Sequence, residues 1–129
     1  MPLTRITLHE DVSASRIALI SDILHNTLVE AFDVPAQDRF QIVEKLPAAQ
    51  RIYDRHYLSG TRSDDFILFT LLAGRPRSAA QKSAFCRTLA QRLAQQLQID
   101  PDDIMVIIQF NTASDWSFSN GRMLSQEAL

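Results

Sequence analysis

The apolar positions at the start of the chain alternate with polar ones: Leu3, Ile6 and Leu8 are interleaved with Thr4, Arg5 and Thr7, which predicts a strand over 3–8. Pro2 precedes it. Proline lacks a backbone N–H, so within a sheet it suits an edge or the first residue of a strand. The period then changes. Ile17, Ile20, Leu24, Leu28 and Ala31 recur at helical spacing behind Asp11 or Ser13, either of which can serve as an N-cap, and this predicts an amphipathic helix over 14–31. Pro35, in the turn DVPAQD, stops it, and FQIVEKL predicts a strand over 40–46. The first unit is therefore βαβ.

The same order is written again further along. FILFTLLA (66–73) reads as a fully apolar strand, and SAAQKSAFCRTLAQRLAQQL (78–97) as a helix with Phe85, Leu89, Leu93 and Leu97 on one stripe. Ser78 and Gln81 have the spacing of a capping box, which sets the helix start just after GRPR. IMVIIQF (104–110) follows as a second inner strand, and the turns VPAQD (34–38) and IDPDD (99–103) occupy corresponding places in the two units. Two βαβ units predict an α+β fold: a four-stranded mixed sheet with two helices on one face, in a single domain spanning 1–129. The other sheet face is left without a cover, which points towards oligomerisation. Residues 47–65 read as a charged surface connection with a short strand at 51–57, and residues 111–129 as a polar tail holding the only tryptophan.

Composition removes several function classes. A net charge of -2 supplies no positive excess for nucleic acid. No apolar run is long enough to span a bilayer and no leader pattern opens the chain, so no membrane partner is expected. A single cysteine, Cys86, allows no internal disulfide and fits a reducing cytoplasm. No paired spacing suggests a metal site; His9, His25 and His56 share no ligand spacing, and His25 is explained by partial burial or simple exposure within the first helix. Of the 13 basic residues all but Lys45 and Lys82 are arginines, a bias that suits carboxylate recognition and that a GC-rich genome would also produce.

Three clusters carry candidate chemistry. In GRPRS, Arg75 and Arg77 follow an apolar strand and precede a capped helix, and Pro76 biases Arg75 to an extended conformation in which the two forks project alike. They read as a carboxylate clamp beside a helix N-terminus, or as two solvated loop arginines. Asp38 can serve chemistry or simply turn the chain, with Arg39 pairing a remote surface acid. In DWSF, Trp116 and Phe118 point to one side of an extended segment and read as an apolar pocket wall or as packing at an interface.

Together these segments resemble the tautomerase superfamily of amino-terminal proline enzymes, and within it the malonate semialdehyde decarboxylase branch. The resemblance runs through PLTRITL, FDVPAQDRFQIV, GRPRSAAQK, IDPDDIMVII and DWSFSNGR, in that order along nearly the whole chain. It implies that Pro2, once Met1 is removed, is the catalytic amine, that Asp38 assists it, that Arg75 and Arg77 hold and polarise a small carboxylate substrate, and that Trp116 and Phe118 form a hydrophobic wall. It further implies a homotrimer and no cofactor. The leading expectation is a decarboxylase of a 3-oxo acid, with hydratase activity as a companion. The enzymatic alternative is keto–enol tautomerisation of a 2-oxo acid such as phenylpyruvate, and the alternative from another class is a non-catalytic trimeric anion-binding module.

Overall fold

The computed structural model describes residues 2–126; the state of Met1 and residues 127–129 of the expected tail lie outside the described residues. The first βαβ unit is β1 (Pro2–His9), α1 (Ala14–Phe32) and β2 (Phe40–Leu46). The second is β3 (Ile67–Ala73), α2 (Ala79–Leu97) and β4 (Ile104–Phe110). The sheet runs β2-β1-β3-β4, with β1 parallel to β2, β3 parallel to β4, and the two central strands antiparallel. This is the expected mixed sheet. Its helix-facing side is set by the strand period: Thr4, Ile6 and Leu8 of β1 and Ile67, Phe69 and Leu71 of β3 are buried. Leu24 and Leu28 of α1 and Phe85, Leu89 and Leu93 of α2 close over them to form one core.

The repeat extends to the helix ends. Ser13, not Asp11, caps α1, its hydroxyl accepting the Arg16 N–H at 3.2 Å, while Ser78 and Gln81 form the predicted box on α2. Each helix is 19 residues long and each ends on a left-handed residue, Asp33 (φ 55°) and Gln98 (φ 53°). The next N–H, of Val34 or Ile99, then reaches back to the carbonyl of Leu28 or Leu93, and both following side chains are buried. That is the same C-terminal closure with its apolar contact, made twice at equivalent positions.

One expectation fails. No strand forms over 51–57; a single 3-10 turn (Ala48–Gln50) leads into an irregular loop whose order comes from side chains. The Arg51 guanidinium lies 5.4 Å from the Phe66 ring centroid and 5.6 Å from that of Tyr53, and the two rings are 4.4 Å apart. The buried carboxylate of Asp103 accepts the Ser63 N–H and hydroxyl, both at 2.6 Å, and Gly60 runs so close to the Asp102 carboxylate that a Cβ would collide with it. Side-chain bonds therefore replace the ladder that a sheet-edge strand would have needed. In the tail a turn at Ala113–Asp115 leads into the small hairpin β5 (Ser117–Ser119) and β6 (Arg122–Met123).

The sheet face away from the helices is apolar and open. Phe40 and Ile42 are each 48% exposed, and Met105 and Ile107 are 40% and 44% exposed. Register puts Leu3, Leu68 and Leu72 among them, with an Arg5–Glu44 pair at 3.0 Å. Among the described residues no helix is long and apolar enough to cross a membrane.

Because the two halves share one core, the equivalent truncations Leu28→Ala and Leu93→Ala should each cost about 2–5 kcal/mol in chemical denaturation and leave a single cooperative transition. Two separated transitions in either variant would contradict a shared core.

Candidate active site

The geometry at one end of the sheet starts from register. Pro2 opens β1 opposite Ala73, the last residue of β3, so the chain leaving β3 carries Arg75 and Arg77 past the end at which β1 begins. On the other flank Leu3 pairs with Phe40, the first residue of β2, so the turn holding Asp38 comes in beside the same end. Pro2 is buried, and it occupies a position where the missing N–H of proline interrupts no interior ladder.

Arg75 and Arg77 converge on one acceptor, the carbonyl of Phe32 at the C-terminus of α1. Arg77 donates to it from Nη2 at 2.8 Å and from Nε at 3.3 Å, and Arg75 reaches it from Nη2 at 3.4 Å. Arg77 also donates from Nη1 to the Arg75 carbonyl at 2.6 Å and lies 5.2 Å from the centroid of the Phe32 ring. A helix C-terminus presents unsatisfied carbonyls and partial negative charge, and a cation placed there answers both. The two arginines are nevertheless unequal: Arg77 is buried, whereas Arg75 is exposed. The reading of both as solvated loop arginines therefore fails for Arg77. Burial first, and then the neighbouring Arg75 charge, lower the Arg77 pKa, while the charges of Asp33 and Asp38 oppose the fall. Asp38 thus acts electrostatically on Arg77, as the weakest of these influences.

The turn carrying Asp38 is closed by its own N–H, which donates to the Pro35 carbonyl at 3.0 Å. Arg39 pairs with the remote surface acid Asp22 at 2.8 Å, as the bland reading of that residue expected. Asp38 itself is half-buried. Trp116 and Phe118 stack with centroids 5.5 Å apart at 20°, and Phe118 contacts Phe40 at the same centroid separation. The indole N–H donates to the Asn111 side chain at 2.6 Å, which holds the ring in place. Since Phe40 is paired with Leu3, this aromatic row leads back to the Pro2 end of the sheet. A cavity of about 210 Å³ lies under the tail against Phe118, Ser119, Arg122 and Leu124.

Two features escaped the sequence reading. The Phe32 carbonyl organises both arginines, and no side-chain pattern signals a backbone acceptor. His25 is buried within α1 and hydrogen-bonds through Nε2 to the Ala36 carbonyl at 2.8 Å; its place beside Leu24 on the apolar stripe was the available signal. Cys86 is half-buried and burial pushes its thiol up, the opposite of what a nucleophile requires. Among the described residues no group of His, Cys, Asp and Glu gathers to hold a metal ion.

Comparison with known proteins gives the family of this chain. A family model described as "Tautomerase enzyme" matches residues 38–119, more than half of the chain. Probable tautomerase YrdN of Bacillus subtilis is 37% identical over 121 residues, covering 94% of this chain and 93% of the relative. Probable tautomerase YusQ of the same organism is 30% identical over 122 residues, covering 95% and 96%. Among solved structures, a malonate semialdehyde decarboxylase with described decarboxylase and hydratase activities superposes with a TM-score of 0.87 at 34% identity, covering 93% of this chain and 92% of that one.

The inequality of the arginines has a measurable consequence. Arg77→Met should cost about 2–4 kcal/mol in denaturant stability, because it strips the buried Phe32 carbonyl of its shortest bond. Arg75→Ala, at an exposed site, should cost less than about 1 kcal/mol. Equal losses would mean that Arg75, too, is a structural residue.

Proposed function

The chain belongs to the tautomerase superfamily, and we propose that it is a cofactor-free decarboxylase of small 3-oxo acids, similar to malonate semialdehyde decarboxylase, working through the nitrogen of Pro2. The observation that supports this most is the convergence of Arg75 and Arg77 on the Phe32 carbonyl at the end of the sheet where β1 begins, beside the turn that carries Asp38. With Met1 removed, Pro2 is a secondary amine whose reference pKa is about 8, so its surroundings decide whether it is an acid or a base. Asp38 favours the charged form and the arginines oppose it.

In the proposed reaction exposed Arg75 takes the substrate carboxylate, and the buried, backbone-bound Arg77 fixes the loop and adds positive potential. Protonated Pro2 donates to the carbonyl oxygen. As the bond between the carboxylate carbon and the neighbouring methylene breaks, its electron pair moves into the carbonyl system, and the enolate oxygen is stabilised by the Pro2 ammonium. Carbon dioxide leaves, and the methylene carbon takes a proton to give the aldehyde. Trp116 and Phe118 supply an apolar wall that disfavours the ionised carboxylate relative to neutral carbon dioxide.

A second reading is favoured by both Bacillus relatives being named probable tautomerases. There, neutral Pro2 would abstract a proton α to the carbonyl of a 2-oxo acid and return it elsewhere. No observation favours a non-catalytic module. The open apolar face with Phe40, Ile42, Met105 and Ile107 suits burial against further copies, and we extend the proposal to a homotrimer. The half-buried single cysteine and the modest net charge suit a cytoplasmic setting.

Proton NMR of the protein mixed with malonate semialdehyde should show acetaldehyde forming, with Pro2→Ala and Arg75→Ala each lowering the rate by about 100-fold or more. Intact-mass measurement should find the native chain beginning at Pro2. A retained Met1 would turn the nitrogen into an amide and sink the mechanism, and turnover of phenylenolpyruvate in place of malonate semialdehyde would favour the tautomerase. Light scattering should give a trimer mass that Ile42→Asp together with Ile107→Asp shifts to that of the monomer, because each would bury an unpaired carboxylate at the interface.

A further inference from the structure

Three residues of α1 are tied to β2 and to the segment that leads into it. Ser21 and Gln41 exchange two bonds, the Ser21 hydroxyl donating to the Gln41 amide oxygen and the Gln41 amide donating to the Ser21 carbonyl at 3.2 Å, while Asp22 accepts from Arg39 at 2.8 Å and His25 reaches the Ala36 carbonyl at 2.8 Å. The first is half-buried and the second exposed, with both partners of the ion pair at least 40% open to solvent. An exposed pair of that kind holds little. His25 differs: it is 4% exposed and its acceptor is the backbone of the very turn, Pro35 to Asp38, that presents Asp38. A carbonyl only accepts, so Nε2 carries the hydrogen.

We propose that His25 is a positioning residue that sets the reach of Asp38 by holding the Ala36 carbonyl against α1, an inference resting on the role given to Asp38 above. The turn has its own closing bond, but that bond fixes only its internal shape. Of these ties, that of His25 is the one that reaches the turn's own backbone, and it sets how the turn is held against the helix layer and so the distance from Asp38 to the arginine loop and the start of β1. A displacement of a charged group by about 1 Å is enough to cost a large rate factor in a preorganised site.

The test is a double-mutant cycle read on kcat and KM, with malonate semialdehyde or phenylenolpyruvate as substrate, whichever the native protein turns over. His25→Leu should lower kcat about tenfold or more with KM changed less than about twofold, whereas in the Asp38→Asn background it should change kcat by less than about twofold. His25→Gln, which keeps an N–H donor at similar reach, should restore at least about half of the native rate. Asp22→Asn, which breaks only the exposed pair, should stay within about twofold of native. If His25→Leu gives no folded protein, His25→Asn, whose amide falls short of the Ala36 carbonyl, takes its place with the same expectations. Equal loss in both backgrounds, or no rescue by glutamine, overturns the positioning role while leaving Asp38 in place. An Asp38→Asn variant with native kcat overturns the role of Asp38 and this inference with it.

Discussion

The carbonyl of Phe32 is the constraint from which the rest of this end of the molecule follows. Phe32 is the last residue of α1, its ring is fully buried against Phe85 at 4.9 Å, and the chain turns away through the left-handed Asp33. Its carbonyl sits at a helix end, where no intrahelical partner is available, and leaving such a group buried and unbonded costs about 1–3 kcal/mol. Arg77 meets the need from the other half of the chain. A guanidinium suits the task because its donors are spread along a plane, so one side chain can bond the Phe32 and Arg75 carbonyls together. The loop between β3 and α2 is thereby fixed to α1, and exposed Arg75 is held at the end of the sheet where Pro2 begins β1.

The same device occurs at the other end. The carbonyl of Leu97, the last residue of α2, accepts from Arg16 of the first unit at 2.8 Å. Antiparallel helices place each C-terminus beside the other unit's helix start, so an arginine in either unit can serve its neighbour. The two ends nevertheless diverge. Asp38 and Asp103 close the corresponding turns, but Asp103 is buried and taken up by Ser63, whereas Asp38 acts on Arg77. Where β1 starts with Pro2, β3 is preceded by Phe66, whose ring lies under Arg51 and beside Tyr53.

Local rules made the regular elements legible: the change of period at Ala14, the cap at Ser13, the box at Ser78 and Gln81, and the apolar stripes all act within a few residues. The prolines helped by marking where each helix had to have ended. What was not legible depended on distant groups. The order of the 51–64 loop comes from Asp102 and Asp103, about forty residues on, and its charged residues carry no period that would betray this. Arg77 looks in sequence like Arg75, yet it is the buried one, bonded to the Phe32 and Arg75 carbonyls and lying over the Phe32 ring, while Arg75 is exposed. His25 interrupts an apolar stripe, and its partner is a backbone atom with no sequence signature. The resemblance carried by the motifs implied the chemistry of the site, while the division of labour inside it is a tertiary property.

That division explains how two nearly equal βαβ units come to offer one candidate site. Duplication supplies two strand starts, two helix ends with an arginine each, and two turn aspartates. At the β3 end these parts are spent on holding the loop between the units: Arg51 donates to the Phe66 carbonyl, Ser59 and Ser63 bond to Asp102 and Asp103, and the loop lies across the strand start. Among the described residues no such loop arrives at the β1 end. The tail from β4 crosses towards β2 instead and contributes Trp116 and Phe118 as an aromatic row against Phe40, so this end of the sheet has both an arginine open to solvent and an aromatic row. Charge beside a low-dielectric wall is the arrangement in which a small carboxylate would be both attracted and destabilised, and among the described residues it is the Pro2 end that offers the parts the proposed reaction needs.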